Sequence, residues 1–156
     1  MEDNSIKSEG IAILYYSSHH GNTKKLLDAI AEKHEVTLID ITEGAECDLT
    51  GYSCIGIASG IYAGSFAKQM IQYVEDHLPE EKPVFYIYTS AMGKGGFLGK
   101  IRAAVQKMNG RELGAYGCRG YNTVGPFKIV GGTGKGHPTE SEIASAVRFY
   151  EKMMTK

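Results

Sequence analysis

Four short apolar runs, separated by helical patterns, constrain this chain more than any other feature of it. They are Ile11 to Tyr16 (IAILYY), Val36 to Ile41 (VTLIDI), Ser53 to Ala58 (SCIGIA) and Val84 to Tyr88 (VFYIY). Runs of this length are too short for buried helices and suit strands covered on both faces. Between them Leu26, Leu27 and Ile30 mark one helical face, and Phe66, Met70, Val74 and Leu78 mark another. Ile101, Val105 and Met108 predict a third helix after Gly95 and Gly96. Leu113 to Tyr121 (LGAYGCRGY) is a weaker strand, because its three glycines lower strand propensity. Thr139 and Glu142 have the spacing of a capping box, opening a last helix carried by Ile143, Val147, Tyr150 and Met154.

Five strands alternating with four or five helices is the pattern of an α/β fold, a parallel sheet with helices on both faces. The chain has no internal repeat and no linker, so a single domain over residues 1–156 is expected, preceded by a polar tail of residues 1–10. The stretch 121–138 (YNTVGPFKIVGGTGKGHP) is long for a connection and is either functional or an inserted strand.

Composition narrows the function classes. With 42% hydrophobic and 22% charged residues the chain is an ordinary globular one. No run approaches the roughly 18 apolar residues of a membrane span. The first ten residues, MEDNSIKSEG, are acidic and polar where a signal peptide is basic then apolar, so a cytoplasmic protein is expected. Cys47, Cys54 and Cys118 have no metal-site spacing and read as reduced thiols filling the core. The net charge is −1, yet residues 1–81 carry 5 Lys and Arg against 14 Asp and Glu while residues 82–156 carry 12 against 4. Such a split either builds a basic side able to steer an anionic partner or interleaves in space and steers nothing. Nothing in the chain suggests a nucleic-acid surface.

In open α/β sheets, ligands bind beyond the carboxyl ends of the strands. The first such junction, Ser17-Ser18-His19-His20-Gly21-Asn22-Thr23, concentrates hydroxyls, an amide and a glycine where a helix begins. A helix N-terminus offers unpaired N–H groups and the positive end of a dipole, which together suit a phosphate. Capping requires one polar residue, and this loop has six, so a phosphate cradle is expected. The second junction, Ser59-Gly60-Ile61-Tyr62-Ala63-Gly64, sets an aromatic ring among small residues. The third, Thr89-Ser90-Ala91-Met92-Gly93-Lys94, is small, polar and basic.

The first loop resembles the Ser/Thr-x-Thr-Gly-Asn-Thr loop that wraps the FMN phosphate in flavodoxins, with His20 in place of a threonine. The resemblance extends over residues 10–154. It implies a doubly wound five-stranded parallel sheet of order 2-1-3-4-5 and FMN as cofactor. By the same resemblance Tyr62 would stack on the isoalloxazine, with Gly60 or Gly64 supplying freedom beside it. The backbone of Thr89 to Lys94 would meet the pyrimidine edge, with Met92 packing either on the ring or in the core. No tryptophan is available for a two-sided aromatic sandwich.

The implied function is electron transfer between redox partner proteins, by a monomer or weak dimer. The alternative is an FMN-dependent NAD(P)H or quinone reductase, and a third possibility is a regulatory module that holds FMN without turnover. Electron carriers of this kind are commonly strongly acidic. Here Lys94, Lys100 and Arg102 make a basic rim, and a less negative potential for the reduced flavin is expected.

Three rival motifs fail. GGTGKG at 131–136 is not a nucleotide P-loop, since Ile129 and Gly136 stand where Gly and Ser or Thr are required, although Lys135 and His137 could cover the site as a lid. Ser17, Ser18 and Ser59 occupy the acidic positions of response-regulator receivers, and the Cys-x5-Arg loop of small tyrosine phosphatases is absent.

Overall fold

β1, Gly10–Tyr16, is an interior strand whose two faces are both apolar: Ile11, Ile13 and Tyr15 point to one side of the sheet, and Ala12, Leu14 and Tyr16 to the other. The computed structural model describes residues 10–17, 21–43, 47–121 and 135–156. In chain order, α1 (Asn22–Lys33), β2 (Thr37–Asp40), β3 (Tyr52–Tyr62), β4 (Ser65–Phe66) and α2 (Lys68–His77) follow β1. They are succeeded by β5 (Pro83–Ser90), α3 (Gly99–Lys107), β6 (Arg111–Arg119) and α4 (Glu140–Met153). The five long strands pair in parallel in the order β2-β1-β3-β5-β6, and the two-residue β4 folds back antiparallel on β3. Counting the long strands alone, the order is 2-1-3-4-5, an α/β doubly wound sheet.

Two cores separate on the two faces. Leu26, Leu27 and Ile30 of α1 and Ala146, Val147 and Tyr150 of α4 pack on Ile13, Phe85 and Ile87. On the opposite face Met70 and Val74 of α2 and Ile101, Ala104 and Val105 of α3 pack on Leu14, Ile57 and Tyr86. Phe66, placed by periodicity on the second helix, belongs instead to β4, and the helix begins two residues later.

The alternation of strand and helix skips one step. Between β2 and β3 the described residues form only a short 3-10 turn, Ile41–Glu43, and no α-helix. The cause is local. Asp40 Oδ1 accepts from the Thr42 backbone N–H at 2.9 Å and its hydroxyl at 2.6 Å, and Asp48 does the same for Thr50 at 3.0 and 2.5 Å. Side-chain bonds of this kind compete with helical ones.

The glycines that weakened the sixth strand in sequence are places where neighbours need the room. A Cβ on Gly114 would come 2.8 Å from Met153 Sδ, and one on Gly117 would overlap the Tyr88 ring. The strand order also bears on how the charged halves of the sequence are laid out, although the pairs Lys107–Glu75 and His34–Glu151 join one half to the other. Residues 1–81 supply β2, β1 and β3 with α1 and α2, and residues 82–156 supply β5 and β6 with α3 and α4. The acidic and basic halves of the sequence therefore build opposite halves of the sheet.

Candidate functional site

Register brings the carboxyl ends of the strands into line: Tyr16 pairs with Ser59, Gly60 with Thr89, and Ser90 with Arg119. The first three predicted loops therefore meet at one edge. Ser18, His19 and His20 lie outside the described residues. Gly21 is the N-cap of α1 in the left-handed region (φ 63°, ψ 33°), where glycine costs least. It has no side chain to accept from the first-turn N–H groups, and that turn holds no acid. Among the described residues the buried hydroxyl of Ser17 and the Asn22 Oδ1 have no hydrogen-bond partner. Thr23 is differently engaged. Its hydroxyl shares a 2.9 Å hydrogen bond with that of Thr89, tying the first loop to the third.

At the second junction β3 runs on to Tyr62, and Ala63 (φ 52°) with Gly64 (φ 78°) turns the chain directly into β4. Two successive positive φ values are the signature of a type I′ hairpin, and an alanine there costs about 1 kcal/mol. The Tyr62 ring folds back over Gly60, where a Cβ would lie 2.9 Å from its hydroxyl oxygen, and meets Tyr16 edge-on at 5.7 Å. Ile61 packs on the core beside Phe66. Ser59 is fully buried; it donates to Gly60 O at 2.5 Å and accepts from Ala67 N at 3.1 Å, which secures the start of α2.

The third junction is a tight bend in which Ser90 Oγ donates to the Gly93 carbonyl, with Gly93 at φ 83°. Met92 is 76% exposed, so the core position is excluded. Lys94 is exposed beside it. Arg119, unnoticed in the sequence because it closes the glycine-rich strand, donates from Nε to the Ala91 carbonyl at 3.3 Å and lies against Gly93. Arg102 is a correction to the basic rim. It forms a two-pronged ion pair with Glu112, 2.8 Å on each arm, near the amino end of β6 and away from these loops.

A fourth element joins them. Asn22 Nδ2 donates to Tyr121 O at 2.7 Å, and a Cβ on Gly120 would meet Asn22 at 2.6 to 2.9 Å. Tyr121 N donates in turn to His137 O at 3.2 Å. His137 is a poor lid residue, being half-buried with Nδ1 2.7 Å from Glu142 Oε1; Lys135 is exposed. Most of the long connection, residues 122–134, lies outside the described residues.

Chemically, this edge suits an anion and a flat ring better than a nucleophile or a metal. Burial raises the Cys118 thiol near this edge to about 12, and that of Cys54, at the amino end of β3, to about 11, which disfavours the reactive thiolate. Among the described residues no group of three His, Cys, Asp or Glu side chains is placed to hold a metal, and no helix is long and apolar enough to cross a membrane.

Comparison with known proteins agrees with this geometry. A family model described as "Flavodoxin domain" matches residues 13–96. An uncharacterized protein of Methanocaldococcus jannaschii is 31% identical over 144 residues, covering 91% of this chain and 96% of that one. The chain belongs to the flavodoxin family. Its fold is that of a flavodoxin from the domain Archaea (TM-score 0.63, 16% identity, 92% of this chain and 99% of that chain). It is likewise that of a Fusobacterium nucleatum flavodoxin variant bound to flavin mononucleotide (TM-score 0.65, 14% identity, 94% and 96% covered). Flavodoxin 2 of Bacillus cereus is similar (TM-score 0.62, 17% identity, 94% and 98% covered).

Proposed function

We propose that this flavodoxin-family chain binds FMN at the carboxyl ends of β1, β3 and β5 and shuttles electrons between redox partner proteins. The observation that carries the reading is the start of α1, a left-handed glycine N-cap with no acid in the first turn, together with the unpartnered buried Ser17 hydroxyl four residues before it in a stretch rich in polar side chains. These residues fit a phosphate, which brings the acceptors that the helix end lacks. The Fusobacterium nucleatum relative is described as bound to flavin mononucleotide, which supports the choice of anion.

In this reading Ser17 to Thr23 hold the phosphate, Tyr62 offers the face for the ring, and Gly60, Ala63 and Gly64 shape the turn beside it. The backbone of Ala91 to Lys94 takes the ring's polar edge. FMN supplies the electron exchange. The chain's own contribution is to bind, orient and set the field. Lys94 and Arg119 border the third loop, and positive charge there favours a reduced, more anionic cofactor. The potential is therefore expected to be less negative than in acidic flavodoxins, and Arg119→Gln is expected to lower it.

Anaerobic addition of NADPH, then NADH, to the FMN-loaded protein tests the reading. Failure to form a yellow complex with FMN overturns it. A flavin that stays oxidised until a partner reductase or dithionite is supplied fits a carrier, and prompt bleaching by nucleotide alone establishes the reductase alternative instead.

A further inference from the structure

Among the described residues no α-helix lies between β2 and β3, and the surface beside α2 has a chemistry of its own. In strict alternation a helix between β2 and β3 would lie beside α2, but here the described residues form only the turn Ile41–Glu43. The flank of α2 formed by Lys68, Gln69, Gln72, Tyr73, Asp76 and His77 lines one wall of a groove of about 690 Å³, with Ile41 and Thr42 opposite. At the amino end of α2 a second hollow of about 600 Å³ shares Tyr16, Lys68 and Gln69 with the first and extends to Tyr62 and Lys100. Both volumes are in the range of small-molecule sites.

The lining is flat and aromatic. Tyr16 and Tyr62 meet edge-on at 5.7 Å, and Tyr73 stacks with His77 at 4.2 Å. The charge is polarised along the groove. Lys68, at the positive end of the α2 dipole, lines both hollows, and Lys100, in the first turn of α3, lines the second; neither is in an ion pair among the described residues. Asp76, bonded to Gln72 at 3.1 Å, lies toward the far end.

We infer that the two adjoining hollows bind a planar aromatic molecule carrying an anionic group, with its acid at Lys68 and Lys100 and its ring along Tyr16, which lines both. Binding depends on this chain's residues alone. Only the further point, that the ligand stands next to a flavin through Tyr62, rests on the FMN reading above.

Calorimetric titration of the full chain with anthraquinone disulfonate, without FMN and again with FMN loaded, tests the inference. Saturable one-to-one binding is expected in both states, so a failure to bind FMN leaves the groove measurable. Lys68→Glu reverses the charge and Gln72→Trp fills the groove from an exposed helix position. Each is expected to weaken the probe by about tenfold while leaving the circular dichroism melt and FMN affinity unchanged. Uncharged menadione is expected to bind about tenfold more weakly than the disulfonate. Absence of saturable binding, equal binding to both variants, equal affinity for menadione, or displacement of FMN by the probe would each overturn the inference.

Discussion

The amino ends of α1 and α4 solve one physical problem in opposite ways. At α4 the helix brings its own acceptors: Thr139 Oγ1 takes the Glu142 N–H at 3.1 Å, Glu142 Oε1 takes the Thr139 N–H at 2.7 Å, and Glu140 adds charge against the dipole. At α1 the N-cap is a glycine, the first turn holds no acid, and two polar atoms nearby are buried without partners. α1 is held from the side instead, through Thr23 to Thr89 and Asn22 to Tyr121. Among the described residues α2 and α3 also begin without a side-chain cap or a first-turn acid, so what sets α1 apart is its left-handed glycine N-cap, preceded by the polar stretch Ser17 to His20.

Gly21→Asp breaks the contrast most strongly, because it gives α1 the acceptor it lacks at a backbone position that aspartate tolerates better than most residues. FMN affinity, read by quenching of flavin fluorescence, is expected to fall about 100-fold, on the order of 3 kcal/mol, while the melting temperature holds or rises. Unchanged affinity would show that the open end is not where the phosphate binds. Thr139→Ala makes the reverse test at α4. It is expected to cost about 1 kcal/mol of stability in urea unfolding with FMN affinity unaltered; a matching loss of affinity would mean that the two ends are coupled.

The smallest effect is on acid stability. Burial raises the Glu142 carboxyl, but the Thr139 N–H and His137 outweigh it and hold it below the usual range. A depressed folded-state value means the stabilisation is present above the unfolded pKa, about 4.3, and disappears as pH falls through the folded value. Glu142→Gln is therefore expected to flatten the drop in urea midpoint below about pH 4.3, and an unaltered acid limb would assign that drop to other carboxylates.

Much of this contrast was legible beforehand, for reasons particular residues show. The capping box at Thr139 and Glu142 is a short-range pattern, so spacing alone located it. The apolar runs announced the strands because strands buried on both faces need apolar residues on both. Less legible were roles that depend on residues distant in sequence. Ser59 reads as a loop hydroxyl but is spent on Ala67. Arg102 reads as part of the rim but answers Glu112. Arg119, at the end of a strand weakened by glycines, gave no local signal.

What the sequence determined by itself was local: which segments form the main strands and helices, that the sheet is parallel and covered on both faces, and which loop is rich in groups for an anion. Those follow from periodicity, capping and hydrogen-bonding capacity, which act within a few residues. Only the tertiary structure decided which loops share an edge, that Thr23 answers Thr89, that Gly120 leaves room for Asn22, and that a groove lies beside α2. These depend on strand order and register, which bring together side chains as many as 117 residues apart, as His34 and Glu151 are.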